Sequence, residues 1–322
     1  MPLATLNDIV PLFACPACKN PLTGPVEALR CTSDGCRRVY PSVGHNSVPV
    51  LLDGESSIID IPAVLKTDAA SPLGRRYWGP LGKLVVQLTF RRNTTAEQIT
   101  SRLAADLVAE TQNRKPRLLI VGGGAIGNGI ASVYDSSDID IIAFDIYKSE
   151  YCQFIADGHS IPLLDGTVDG VLIQAVLEHV LNPQLVADEI HRVLRPGGLV
   201  YADTPFMQQV HEGPYDFTRF TESGHRYLFR RFEVRSSGAV GGLGTQLHWS
   251  LFYFGRGIHR MVGRLFWVGF FWLDMLDRWL DPGVTVDGAS GVFFYGHSSA
   301  RSISPQEIVD YYSGGQGPRG LG

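Results

Sequence analysis

Four cysteines stand as two short pairs, Cys15-Pro-Ala-Cys18 and Cys31-Thr-Ser-Asp-Gly-Cys36, with twelve residues between the pairs. Each pair can set two thiolates on one tight turn, and two such turns complete a closed tetrahedral metal site. Four thiolates leave no coordination position free, so the expected zinc ion is structural. Two disulfides or four unligated thiols are the alternatives. The fifth cysteine, Cys152, reads as an ordinary half-buried side chain.

A second group of residues suits a nucleotide-like ligand. Gly122-Gly-Gly-Ala-Ile-Gly127 directly follows the apolar run Leu118-Leu-Ile-Val121. Glycines at such a place let the backbone turn tightly and approach a ligand, with the following helix N-terminus aimed at it. Asp145 ends a second apolar run, Ile139-Asp-Ile-Ile-Ala-Phe144, where it can accept hydrogen bonds from ribose hydroxyls. These two features suit NAD as well as S-adenosylmethionine. A glycine-rich turn that binds nothing is the remaining alternative.

The stretches that follow are more specific. Ala156-Asp-Gly-His-Ser-Ile-Pro162, then Asp169-Gly-Val-Leu-Ile-Gln-Ala-Val-Leu-Glu-His-Val180, then Asp188-Glu-Ile-His-Arg-Val-Leu-Arg-Pro-Gly-Gly198 closely resemble the type-11 domain of class I S-adenosylmethionine-dependent methyltransferases. The resemblance spans about residues 117–235. It implies that Asp145 holds the ribose, and that Gly122 and Gly124 pass beneath the methionine portion, with Gly127 closing the loop. It further implies that Asp157 meets the adenine amino group beside Gly158, while Gln174 and Ala175 line the methionine side. Three features depart from the family pattern. Ile120 stands where an acid is usual, the third glycine is displaced from Ile126 to Gly127, and only eleven residues separate Asp145 from Asp157. That interval is too short for the usual helix between the second and third strands. Residues 12–52 resemble the zinc-ribbon family typified by the activator subunit of tRNA and protein methyltransferases. The likeness lies in Leu12-Phe-Ala-Cys-Pro-Ala-Cys-Lys-Asn-Pro-Leu22, the second knuckle, and Val39-Tyr-Pro-Ser-Val-Gly-His-Asn-Ser-Val-Pro-Val-Leu-Leu52.

Beyond the last of these stretches comes His211-Glu-Gly-Pro-Tyr-Asp-Phe-Thr-Arg-Phe-Thr221, similar to a segment of methyltransferases often encoded among polysaccharide and cell-envelope genes. In an open α/β sheet ligands sit beyond the carboxyl ends of the strands, so this loop should border the transferred methyl group. His211, Tyr215, Asp216 and Arg219 are its candidate polar groups. An alcohol acceptor benefits from a general base, and His211 is expected to supply it. Asp216 would orient the histidine or bind acceptor hydroxyls. A purely structural hydrogen-bonded corner is the competing reading. Glu178 and His179 are expected to cap and orient their loop, and His159 and His191 to be structural, with His191 facing solvent.

Positioning these groups requires alternating strands and helices, hence an α/β fold with a mainly parallel, Rossmann-like sheet covered on both faces and preceded by the ribbon. A helix is expected over 94–112, with Thr94 and Glu97 as its capping box and Ile99, Leu103 and Leu107 on one face. Another is expected from Asn182-Pro183, with Val186, Ile190, Val193 and Leu194 inward and Pro196-Gly-Gly198 ending it. Further strands fall at Val171-Leu-Ile173, Leu199-Val-Tyr201 and, closing the sheet, Val292-Phe-Phe-Tyr-Gly296. The expected organisation is a ribbon (1–53), a linker and helices (54–116), a catalytic domain (117–312) and a flexible tail (313–322). Within the linker, 53–67 is polar, whereas the apolar run 84–90 has no clear place. An aromatic insertion over 248–280, interrupted by Arg256, Arg260, Arg264 and Arg278, is either a core-covering helix pair or an interfacial segment.

The chain has 322 residues and a formal net charge of −4, so nothing in the overall charge favours nucleic acid. No export signal and no long apolar run are evident, so a cytoplasmic protein is expected, with peripheral membrane contact through 248–280 the open variant. The expected activity is methyl transfer from S-adenosylmethionine to a small-molecule, sugar or lipid-linked sugar acceptor, with O-methylation the expected chemistry. The alternatives are an rRNA or tRNA methyltransferase, an NAD-dependent oxidoreductase, or a non-catalytic ribbon scaffold.

Overall fold

The structure, a computed structural model, describes residues 3–55, 57, 59–66 and 93–317. The unplaced apolar run 84–90 lies outside those residues. Eleven strands form one sheet in the order β1-β2-β3-β4-β7-β6-β5-β8-β9-β11-β10. The ribbon supplies β1 (Leu22–Thr23), β2 (Ala28–Cys31), β3 (Val39–Val43) and β4 (Val48–Leu51). The parallel body comprises β5 (Arg117–Val121), β6 (Asp140–Asp145), β7 (Phe154–Ala156), β8 (Val168–Gln174) and β9 (Leu194–Pro205). Two antiparallel strands, β10 (Phe232–Gly241) and β11 (Gly291–Ser298), complete it, with β11 lying between β9 and β10 rather than at the edge.

The alternation of side chains along the strands builds both cores. Leu119, Val121, Ile142, Phe144, Val171, Ile173, Val200 and Ala202 face one side, and Leu118, Ile120, Ile141, Ala143, Leu172, Leu199 and Tyr201 face the other. The first face is covered by helix α5 (Pro183–Val193) through Val186, Ile190 and Val193, and by the ribbon through Ile9, Phe13 and Leu29. The second is covered by α3 (Thr94–Glu110) and the short α4 (Ala131–Asp135).

Several boundaries differ from the sequence expectation. Asn93, not Thr94, caps α3, its side chain accepting from the Ala96 amide at 2.9 Å. The buried stripe is Ala96, Thr100, Leu103 and Leu107, leaving Ile99 only partly covered. Asn182 caps α5 as expected, but the helix ends at Val193 and Leu194 already opens β9. The stretch 53–67 is not wholly linker, because α2 (Ile61–Lys66) lies within it. Strand β7 follows β6 with no helix between them, in keeping with the short interval noted above.

The ribbon is not a separate bead. Its β4 pairs in parallel with β7, Val50 opposite Ile155 and Leu51 opposite Ala156. The Ala14 amide donates to the Pro162 carbonyl at 3.0 Å, and Lys19 reaches Glu189 at 2.8 Å. Together these contacts make the ribbon a wall of the catalytic domain. They also cover the strand edge that β7 would otherwise expose.

Candidate functional site

The carboxyl ends of β5 and β6 bring the glycine loop against Asp145. The Gly124 amide donates to Asp145 Oδ2 at 2.8 Å, and the Ile146 amide donates to Oδ1 at 2.7 Å. Gly122 has φ +76, and a Cβ there would lie 2.2 Å from Val176 Cγ2. A Cβ on Gly127 would lie 1.9 Å from Gln174 Oε1, and one on Gly124 2.3 Å from the Tyr147 hydroxyl. Torsion and space both favour glycine at Gly122, whereas at Gly124 and Gly127 a Cβ would push aside the Tyr147 and Gln174 side chains. Ile120, Val121, Gly122, Ala125, Gly127, Ile130, Leu172 and Gln174 line a small cavity here.

Gln174 closes that cavity. Its amide nitrogen donates to Asp203 Oδ2 at 2.9 Å and to the Asn128 carbonyl at 3.2 Å, while its buried Oε1 has no partner. Ala175 adopts φ +53, a turn held by its amide bond to the Asp203 carbonyl. Burial pushes the Asp203 carboxyl up to about 6, against the pull of the Tyr201 and Gln174 donors.

Asp157 caps the 3-10 turn Gly158–Ser160. Its Oδ1 accepts from the His159 amide at 2.9 Å and lies 2.6 Å from His159 Nδ1, and its Oδ2 accepts from the Ser57 hydroxyl at 2.5 Å. Burial opposes ionisation, but the His159 and Ser57 donors outweigh it and hold the carboxyl below its ordinary range. Because the Asn182 amide donates to His159 Nε2, that ring carries its proton on Nδ1, and His159 is structural as expected. His191 departs from expectation. It packs edge-on against Phe232, and its Nε2 lies 3.1 Å from the Ser299 carbonyl, so it does not face solvent. Cys152 is buried, and burial pushes its thiol up.

On the acceptor side, the turn Leu177–His179 and the loop after β9 converge. His179 and His211 meet edge to face, ring centroids 5.0 Å apart. Glu178 lies beneath them, its side chain fully buried, and neither carboxylate oxygen has a hydrogen-bond partner. Its Oε1 lies 3.6 Å from His179 Nε2 and 3.7 Å from His211 Nε2. Burial pushes this carboxyl up to about 8. The expected capping is made by the Glu178 main chain, whose carbonyl accepts from the Phe217 amide at 2.8 Å and the Thr218 amide at 3.3 Å, rather than by its carboxylate. Asp216 is also almost wholly buried, in a two-pronged ion pair with Arg219, and its Oδ2 accepts from the His211 amide at 3.0 Å. It orients the His211 loop and cannot reach out to an acceptor. Tyr215 leaves its ring exposed and offers only its carbonyl, 2.8 Å from His179 Nδ1.

Beside this corner the aromatic segment folds as α7 (Leu243–Ile258), α8 (Arg260–Gly269) and the 3-10 stretch Phe271–Arg278. It does not cover the core. Phe254, Ile258, Met261, Leu265 and Trp279 remain more than half exposed. The Tyr253 hydroxyl donates to the Val210 carbonyl at 3.3 Å and Gln209 Nε2 to the Ser250 hydroxyl at 3.1 Å, which ties α7 to the His211 loop. Among the described residues no helix is long and apolar enough to cross a membrane.

Residues 127–202 match the family model of the type-11 methyltransferase domain. That span is shorter than the resemblance read from the sequence, and it leaves out both the first glycines of the loop and the His211 segment. An uncharacterized methyltransferase of Mycobacterium bovis (strain BCG / Pasteur 1173P2) is 33% identical over 124 residues, 34% of this chain and 48% of that protein. An uncharacterized chloroplastic methyltransferase of Arabidopsis thaliana is 37% identical over 75 residues, 23% of this chain and 20% of that protein. A crystal structure of a putative sarcosine dimethylglycine methyltransferase from Galdieria sulphuraria is similar at 14% identity with a TM-score of 0.41, covering 63% of this chain and 86% of that one. The chain spans less than half the length of the curated relatives it matches.

Proposed function

We propose that this chain, which carries a class I S-adenosylmethionine-dependent methyltransferase domain, methylates an oxygen of a small-molecule, sugar or lipid-linked sugar acceptor. The observation that carries the proposal is a shared position at the carboxyl ends of neighbouring parallel strands. The glycine loop follows β5, Asp145 ends β6, Gln174 ends β8 and leads into Ala175, Glu178 and His179, and the His211 loop follows β9.

The residues present fit the cofactor. Gly122, Gly124 and Gly127 leave a cradle that any Cβ would fill, and Gln174 Oε1 is a buried acceptor without a donor. In this reading Gly122, Gly124 and Gly127 approach the methionine portion, with Gln174 and Ala175 beside it. Asp145, held at the end of β6 by the Gly124 and Ile146 amides, meets the ribose hydroxyls, and Asp157, with Gly158 alongside, receives the adenine amino group next to Ser57. When bound, the sulfonium supplies a methyl carbon already activated for in-line displacement. The protein's task is then alignment, exclusion of water and handling of the acceptor proton. His211 faces the acceptor oxygen, and Asp216 with Arg219 holds it in place. Exposed apolar side chains on α7 and α8, tied to the His211 loop, support an acceptor with a greasy portion or a docking membrane surface.

We also assign a structural zinc to Cys15, Cys18, Cys31 and Cys36. Their sulfurs all lie within 4.8 Å of one another. The residue after each knuckle, Lys19 and Arg37, takes a left-handed conformation, φ 62 and 49, so the two knuckles are built alike. The direct test of the activity is incubation with methyl-labelled S-adenosylmethionine and a panel of sugar nucleotides and lipid-linked sugars. Label should appear on an acceptor hydroxyl with matching release of S-adenosylhomocysteine. Label on nitrogen or on RNA would overturn the oxygen assignment.

A further inference from the structure

Ligand-type atoms crowd the acceptor corner. The His179 ring carries its proton on Nδ1, which donates to the Tyr215 carbonyl at 2.8 Å, so its Nε2 presents a lone pair. His211 Nδ1 lies 3.4 Å from Asp216 Oδ2, which leaves its Nε2 on the side of Glu178. Both Nε2 atoms lie near Glu178 Oε1, at 3.6 and 3.7 Å. Three ligand-type atoms therefore converge, and among the described residues neither Glu178 oxygen, though buried, is hydrogen-bonded to either ring. A buried carboxyl left without a hydrogen bond is costly in either protonation state.

We propose that Glu178, His179 and His211 bind a divalent first-row transition metal ion, which in turn receives the acceptor oxygen. This deepens the proposed function and rests on it for the identity of the acceptor. The three ligand atoms lie within 4.8 Å of one another. Ligand atoms at metal bonds of about 2.1 Å sit roughly 3.0–3.4 Å apart in octahedral or tetrahedral arrangement, so the two carboxylate–imidazole pairs need to close by a few tenths of an ångström and the two imidazoles by up to about 1.5 Å, within the reach of side-chain rotation. Two imidazoles and one carboxylate suit manganese, iron, cobalt or zinc, and three protein ligands leave positions open for oxygens of the acceptor. Each histidine is backed by a carbonyl or carboxylate on its other nitrogen, as metal-bound imidazoles usually are. The surroundings carry charge of both signs: the Asp203 and Asp216 carboxylates lie close enough to act on Glu178, and so does the Arg219 guanidinium, which pairs with Asp216. In the metal-bound site the cation polarises the acceptor hydroxyl, which loses its proton to solvent as the oxygen–methyl bond forms and the carbon–sulfur bond breaks. His211 then serves as a ligand, and Asp216 as the group that positions it.

The test uses manganese, which thiolate knuckles bind poorly. Full-length protein stripped of loosely held metal is titrated with Mn²⁺ and free Mn²⁺ is followed by electron paramagnetic resonance. One Mn²⁺ should bind per chain. Glu178→Gln and His211→Ala should weaken it at least about 100-fold and Asp216→Asn roughly 10- to 100-fold, while His191→Gln leaves it unchanged. Mn²⁺ should also raise the melting temperature of the unaltered protein and not that of Glu178→Gln. Without metal, Glu178→Gln should melt no lower than the parent, since the carboxyl makes no hydrogen bond that the variant would lose. Absence of bound Mn²⁺, or binding that Glu178→Gln leaves intact, overturns the proposal. S-adenosylhomocysteine added to the same samples separates the two readings. Its binding without Mn²⁺ binding sinks the cation and spares the methyltransferase, and the reverse result does the opposite.

Discussion

Two clusters of ligand-type side chains in this molecule are built in opposite ways. The four cysteines are contributed by two similar knuckles. Every sulfur faces its fellows, and Tyr40 and the Ser33 amide complete the surroundings of Cys15 and Cys31. Glu178, His179 and His211 come from two different loops, and their inward atoms have no protein partner. A closed, self-sufficient set stabilises a fold, whereas an open, unsatisfied one is where a ligand gains the most by binding. The ribbon holds the edge of the sheet, and the corner keeps an unmet demand at the end of it.

The largest expected effect tests the closed cluster. Cys15→Ser or Cys31→Ser should abolish the zinc, about one per chain in the unaltered protein, and unfold the ribbon. Structural zinc in small domains contributes on the order of 10 kcal/mol. Because Ile9, Phe13 and Leu29 are part of the main core, the melting of the whole catalytic domain should shift as well. Near-zero zinc in chelator-free preparations with a folded N-terminus would erase the contrast between the clusters.

Next comes the open corner. His211→Ala should lower turnover roughly 10²–10⁴-fold, the scale of losing a group that manages the acceptor proton. Cofactor affinity should barely change, because no described contact links His211 to the glycine loop. Steady-state kinetics beside calorimetry reads both quantities. Full turnover in the variant would make the corner as structural as the knuckles.

The smallest effect lies between the clusters. Asp145→Ala should weaken S-adenosylmethionine binding by roughly 1.5–3 kcal/mol, the scale of hydrogen bonds to a charged acceptor. Part of that loss would come through the Gly124 amide, which Asp145 also holds. Unchanged affinity in a folded variant would place the ribose elsewhere.

The closed cluster was legible in the sequence and the open one was not. Paired cysteines and a proline after an N-cap are local signals, and Cys15 to Cys36 and Asn182-Pro183 appear where their spacing puts them. The central strands were equally plain, because four or more buried residues stand together in each. Strand β7 has only three residues and no alternation to mark it. The pairing of β4 with β7 joins residues about a hundred positions apart, which no local pattern records. Glu178 shows the limit most clearly. The sequence places it after a strand beside His179, but its burial and its lack of a donor depend on the loop carrying His211. The charge of that loop was visible, and its position over Glu178 was not.

The central claim is that the glycine loop and Asp145 serve a sulfonium cofactor rather than a dinucleotide. Calorimetric titration of the zinc-loaded chain with S-adenosylmethionine, S-adenosylhomocysteine and NAD tests it most directly. Saturable one-to-one binding of the first two is expected, weakened by Asp145→Ala, with no heat from NAD beyond dilution. Binding of NAD in preference to S-adenosylhomocysteine, or of none of the three, would contradict it.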